Sequence, residues 1–213
     1  MRRICLTVVG LFMLLAAGAE PAQAITYKID PVHSSVGFRI RHLVGKVRGS
    51  FLSFSGTITM DPSHPSDGAV TVTIQANSID TGNEDRDRHL KSAEFFEAEE
   101  YPTIQFESTA VRGSGENLKV DGLLTMHGVS RPVTLDVEFL GVVDDPWGNI
   151  RAGFEAHTTL QRKEFGISWN KALDAGGLIL GEEVEINIVL EAIRPKTKPE
   201  KESSPQETGS ERP

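Results

Sequence analysis

Ser35-Val36-Gly37-Phe38-Arg39-Ile40-Arg41-His42 alternates with period two: Val36, Phe38, Ile40 and His42 share one parity, and Ser35, Gly37, Arg39 and Arg41 share the other. Successive side chains of a strand point to opposite faces, so this is a strand with one dry face and one wet face. The pattern recurs along the chain. Val70, Val72, Ile74 and Ala76 form one such set, and Val133, Leu135, Val137 and Phe139 oppose Thr134, Asp136 and Glu138. Near the end, Val184, Ile186, Ile188 and Leu190 oppose Glu185, Asn187 and Glu191. Similar segments at about 103–111, 117–127 and 151–160 bring the expectation to about eight strands.

One segment changes phase. Val47, Gly49 and Phe51 share a face, whereas Phe54, Gly56, Ile58 and Met60 take the opposite parity. The shift near Leu52-Ser53 predicts a β-bulge or a corner in a long strand. Turn signals separate the strands at Asp61-Pro62, Asp67-Gly68, Gly113-Ser114-Gly115 and Asp145-Pro146-Trp147-Gly148. Sequential strands with single apolar faces fit an all-β antiparallel barrel or a sandwich. The barrel is preferred, since about eight strands enclose room for side chains plus one small ligand.

One stretch reads as helix. Thr81-Gly82-Asn83-Glu84 has the form of a capping box, with Asn83 as the alternative N-cap, and Glu84, Asp85 and Asp87 place negative charge on the first turn. Leu90, Ala93 and Phe96 recur at helical spacing, so the helix is expected to reach about Phe96, stop before Pro102 and lie near a barrel opening.

The ends differ from this middle. Arg2 and Arg3 precede an apolar run from Leu6 to Gly18, and Ala22-Gln23-Ala24 has the small-residue form read by signal peptidase. At roughly 13 residues the run is too short to span a bilayer, which predicts a signal peptide over 1–24 and a periplasmic location. Cys5, the one cysteine, falls in that leader, so the mature chain has no disulfide. Residues 195–213 are polar and rich in Pro and Ser, which predicts a disordered tail. A single domain is left, over 25–194. Taking Arg2 and Arg3 from 22 basic residues and Glu20 from 30 acidic ones leaves a mature balance of about −9. That charge argues against nucleic acid as a partner.

Recognised chemistry is scarce. No G-x-S-x-G, phosphate loop or H-E-x-x-H occurs, and no metal site is expected. Asp85 and His89 stand four apart on the expected helix without a third ligand, which reads better as a solvated face satisfied by Arg86 and Arg88. His127 before Gly128 reads as a turn or rim hydrogen bond. His42 is either a satisfied core histidine or a polar group facing a cavity. Pattern alone favours a binding protein over an enzyme.

Several ordered stretches together resemble the YceI-like family. They are Asp30-Pro31-Val32-His33-Ser34-Ser35-Val36-Gly37-Phe38, Thr81 to Phe96 with Tyr101-Pro102, Gly122 to Val129 leading into Arg131-Pro132-Val133, Asp145 to Gly148, and Arg162-Lys163-Glu164-Phe165-Gly166-Ile167. The resemblance spans Tyr27 to about Ile193. It implies an extended, lipocalin-like barrel whose lumen holds a polyisoprenoid, isoprenoid-quinone-like or other long-chain amphiphile as its ligand, with no separate cofactor and no established catalysis. The tail is not part of the family pattern. Candidate lumen residues are Phe38, Ile40, Phe51, Phe106, Leu124, Phe154 and Phe165, with an ordinary packed core as the alternative for each. His42, Arg86 and His89 are the candidates for the ligand's head group, Arg86 having helix-surface pairing as its alternative. The protein is expected not to be membrane-embedded, and a homodimer is left open. Rival readings are an enzyme acting on such an amphiphile through His42 or His127, and a stress-induced barrel without lipid.

Overall fold

The computed structural model describes residues 24–174 and 176–195. Apart from Ala24 and Pro195, the expected leader and tail lie outside the described residues. In chain order the strands are β1 (Ile25–Ile29), β2 (Ser35–His42), β3 (Gly45–Phe51), β4 (Phe54–Asp61), β5 (His64–Gln75) and β6 (Ile79–Asp80). The helix α1 (Glu84–Lys91) follows, and then β7 (Thr103–Ser114), β8 (Asn117–Met126), β9 (Val129–Asp144), β10 (Asn149–Gln161) and β11 (Leu180–Pro195).

The ring β1-β4-β5-β7-β8-β9-β10-β11 closes because β1 pairs with both β4 and β11, giving an antiparallel barrel of eight strands. The expected barrel is therefore the observed one. The shorter strands extend its wall. β11 is long enough to pair through Ala192 and Ile193 with β1 and through residues 184–189 with β2, while β3 pairs with β2 and with β6. Closure leaves the eight ring strands without a free edge.

The phase change at Leu52-Ser53 is a corner, as expected. Leu52 N donates to Ser78 O (3.1 Å), Gln75 N to Ser53 O (2.9 Å) and Ser53 N to Ser78 Oγ (3.1 Å). The break between β3 and β4 is thus tied to the 3-10 turn Ala76–Ser78 between β5 and β6. Beyond the corner each strand resumes with its apolar parity facing inward: Phe51 and Phe54 are both 8% exposed, although three residues apart.

Two expectations need correcting. Asp67-Gly68 does not separate strands but lies within β5, where the register slips between Thr59↔Ala69 and Asp61↔His64. Its turn chemistry serves a bulge of residues 65–68, with Gly68 close against Met60. The helix, in turn, ends at Lys91 rather than near Phe96. Ser92 Oγ donates to His89 O (2.8 Å), and the chain then reverses, with Phe96 N donating to Leu90 O (3.0 Å). Adjacent residues on a helix lie about 100° apart, whereas this reversal lets both Phe95 and Phe96 face the interior. At its start α1 takes the alternative cap: Asn83 Oδ1 accepts from Arg86 N (2.9 Å). Thr81 is bound instead to Asp87, whose Oδ1 accepts from Thr81 N (2.9 Å) and Oγ1 (2.5 Å).

The two barrel ends are built differently. At the end holding the β9–β10 turn, Tyr27, Ile58, Met60, Leu118, Phe139 and Phe154 pack with Ala152 and Ala192, which are fully buried. The wall here is pinned by Arg151, which donates to Asp30 (2.9 Å), Asp145 (3.0 Å) and Glu191 (2.8 Å). The hydrogen bonds from Arg151 and His33 hold the Asp30 carboxyl down at about 2. Burial pushes Asp145 up, but hydrogen bonds from Asn149, Arg151 and Trp147 outweigh it and bring that carboxyl also to about 2. The opposite end carries α1, the β2–β3 and β8–β9 turns and the residues Arg162 to Trp169 that follow β10.

Candidate ligand cavity

The inward-facing parity of the strands leaves space between the walls. One cavity of about 160 Å³ runs through the barrel middle, lined by Val72, Ile74, Leu135, Ile188 and similar side chains, with Ile58, Met60 and Phe154 of the packed end at its floor. A second, of about 230 Å³, lies beneath α1. Phe51, Met126, Leu160 and Ile186 line both, so the two cavities lie end to end along the barrel. Together they reach the lower part of the range usual for ligand pockets, roughly 300–1,000 Å³.

Two glycines make this interior possible. A Cβ at Gly49 would lie 2.4 Å from Cζ of Phe38, and one at Gly122 would lie 2.4 Å from Cζ of Phe106. Each ring therefore lies flat on the neighbouring strand. That keeps the aromatic wall while leaving the lumen open.

The structure separates the candidate residues by depth. Phe106, Leu124 and Phe154 line the middle cavity, Phe38 and Ile40 the one under α1, and Phe51 lines both. Phe165 does not line either. It is 1% exposed, packed in the core cluster at the foot of the 3-10 turn Arg162–Phe165. His42, from β2, and Arg86 and His89, both from α1, all line the α1-end cavity. Arg86 is steadied by Nε donating to Thr81 Oγ1 (2.7 Å) and Nη2 to Thr81 O (2.9 Å). His89 stands edge-on to Phe95 and Trp169 and binds Glu94 through Nε2 (2.5 Å).

His127 belongs elsewhere. It and Gly128 both have positive φ, 51° and 70°, in the tight turn between β8 and β9. Its Nδ1 donates to Phe165 O (3.0 Å), and its ring stacks edge-on against Tyr101. It lines neither cavity, which matches the turn hydrogen bond read from the sequence. Asp85 pairs with Arg88 (2.9 Å) and His89 with Glu94, so neither waits for a metal. Asp30, His33 and Glu191 also lie close enough to share a cation, but the Arg151 guanidinium already bridges the two carboxylates.

Sequence reasoning misses several residues of the α1-end cavity: Arg162, Trp169 and Phe95. Arg162 and Trp169 lie beyond the last residue of β10, where period-two patterning has stopped. Arg162 is buried as a whole residue, at 4% exposure. Its Nε donates to Gly181 O (2.8 Å), and its Nη1 to Ile167 O (2.9 Å) and Trp169 O (2.8 Å). These bonds fold the segment after β10 back over the opening.

The interior is apolar along most of its length, where the one polar lining residue, Thr158, donates its hydroxyl to Thr134 O, and it gathers His42, Thr81, Arg86, His89 and Arg162 at one end. Such a shape suits a long molecule with a hydrocarbon tail and a polar head, since each buried methylene contributes about 0.8 kcal/mol. No helix among the described residues is long and apolar enough to cross a membrane.

Known proteins share this architecture. Residues 27–192 match the sequence profile of the YceI-like domain. A UPF0312 protein of Pectobacterium carotovorum is 41% identical over 197 residues, covering 92% of this chain and all of that one. Protein YceI of Salmonella arizonae is 43% identical over 178 residues, covering 82% of this chain and 90% of its own. Among solved structures, BcnA of Burkholderia cenocepacia superposes with a TM-score of 0.66 at 25% identity, covering 77% of this chain and 99% of that one. A polyisoprenoid binding domain from Saccharophagus degradans superposes with a TM-score of 0.57 at 18% identity, covering 79% and 98%, a likeness of fold.

Proposed function

Since the chain belongs to the YceI-like family, we propose that its barrel holds a polyisoprenoid or isoprenoid-quinone-like amphiphile, as a periplasmic carrier or reservoir and not as an enzyme. The observation that carries this reading is the one-ended polarity of the interior, largely apolar from Phe154 to Phe51 and polar beneath α1. The tail lies along the middle cavity among Phe106, Leu124 and Phe154, passes Phe51, and brings the head to His42, Arg86 and His89 beside Phe38 and Ile40. The neighbouring domain from Saccharophagus degradans, described as polyisoprenoid binding, supports the class of ligand. The basic start and the Ala22-Gln23-Ala24 site support export to the periplasm.

A binding role also suits the histidines. His89 is engaged by Glu94, and His127 lies outside both cavities. Proton transfer to a bound ligand therefore falls to His42 alone among the two first considered. Native mass spectrometry of protein purified without detergent tests the proposal. One isoprenoid per chain, or uptake of one added polyprenol or ubiquinone, is expected. Protein that stays empty when both are supplied would overturn it.

A further inference from the structure

Arg162 has a property that the ligand candidates read from the sequence lack. It is 4% exposed, and its three hydrogen bonds all go to neutral backbone carbonyls. No carboxylate among the described residues lies within ion-pair distance of it, and Nη2 has no acceptor there at all. The nearest acidic influence is Glu182, which is itself paired with Lys163. Burial of the guanidinium pulls its pKa down, and the charge of Glu182 offsets this only in part. A buried charge is costly unless it is paired, and a buried donor without an acceptor adds to the cost. The side chain also lines the α1-end cavity, as do Arg86 and His89.

We infer that Arg162 Nη2 is the anchor for the ligand's head and that it selects an anionic oxygen, phosphate or carboxylate, over a neutral head. The inference rests on the lipid-binding reading above and specifies the chemistry of its polar end. The guanidinium is planar with its donors in a fixed fork, and three of them are already committed to Gly181, Ile167 and Trp169. The remaining Nη2 donors are therefore held in one direction before the ligand arrives, which suits two oxygens of an oxyacid. Arg86 and the edge of His89 complete the polar collar. An anion bound there neutralises a charge that the protein offsets only in part.

The test compares three ligands that share one tail: geranylgeranyl monophosphate, geranylgeranoic acid and geranylgeraniol. Binding is read by the fluorescence of Trp169, which lies on the same cavity wall, in a Trp147→Phe background that leaves it as the only tryptophan. The inference expects one or both anions to bind roughly ten- to a hundredfold more tightly than the alcohol, the value of a charge-assisted hydrogen bond. A stronger phosphate arm assigns the head to the prenyl phosphates, and a stronger carboxylate arm assigns it to the acids. In Arg162→Met the ratio of anion to alcohol affinity should collapse toward one, and in Arg162→Lys it should be partly kept. Equal affinity for all three heads in the parent protein overturns the inference while leaving the lumen reading intact. A ratio that survives Arg162→Met overturns it in favour of Arg86. If none of the three binds, the lumen reading falls and this inference falls with it. Should Arg162→Met fail to fold, the parent protein's ratio and the Arg162→Lys variant still decide.

Discussion

Two arginines at opposite ends of one barrel show how the molecule divides its labour. Arg151, at the packed end, touches three carboxylates; its hydrogen bond leads in holding Asp30 at about 2, and it joins Asn149 in bringing Asp145 to about 2. Arg162, beneath α1, is more deeply buried and touches none. The charge of Arg151 is neutralised within the chain and ties the wall together. The charge of Arg162 has no carboxylate within ion-pair distance among the described residues, and Glu182 offsets its burial only in part. The two arginines thus differ in pairing rather than in residue type, as expected if one end is structural and the other receives the proposed ligand.

The largest effect should come from breaking the packed end. Arg151→Met leaves Asp30, Asp145 and Glu191 without their shared cation, and it should give the steepest fall in Tm of any variant named here. The pH dependence carries the same information. Asp30 and Asp145 have carboxyls held below the unfolded value of about 3.9, so their contribution is fully present above that value. It is lost as pH falls from about 4 toward 2. The parent protein's Tm should drop through that window, and Arg151→Met should show a flatter profile. Arg162→Met should cost less Tm than Arg151→Met, because losing an unpaired buried charge offsets part of the lost hydrogen bonding.

Between the ends, Gly122→Val tests the lumen wall. Its Cβ would meet both the Phe106 ring and, at 2.6 Å, the backbone oxygen of Glu107, so the ring must swing into the cavity. Denaturant unfolding should show a loss of about 1–3 kcal/mol, and bound tail length should shorten. The smallest effect belongs to α1. Asn83→Ala removes a cap worth about 1 kcal/mol at most sites, and it should shift the denaturant midpoint slightly. Because α1 covers the binding end, that variant should quicken ligand release more than it lowers stability.

The walls were legible in the sequence because period two is a direct record of which side faces the lumen. Val36-Phe38-Ile40 and Val184-Ile186-Ile188 are inward as read, and even the phase change at Leu52-Ser53 marked a real corner. Local signals misled where tertiary structure chose among their uses. Asp67-Gly68 makes a bulge inside β5, and Ser92 stops α1 by taking the His89 carbonyl. Phe165 shows the limit of a motif: the stretch from 162 to 167 does build the α1 end, but its cavity-lining members are Arg162 and Ile167. The arginine's partners are backbone carbonyls of residues 167, 169 and 181, and no side-chain pattern encodes those.

The two tryptophans allow the central claim, a tail in the barrel with its head beneath α1, to be tested directly. Trp169 lines the α1-end cavity, whereas Trp147 stands 77% exposed in the β9–β10 turn at the packed end. A short-chain ubiquinone, whose quinone head quenches tryptophan, would be titrated into the Trp147→Phe and Trp169→Phe variants. Saturable quenching at one ligand per chain is expected when only Trp169 remains, with little change when only Trp147 remains. Quenching of Trp147 alone, or equal and unsaturable quenching of both, would contradict the account.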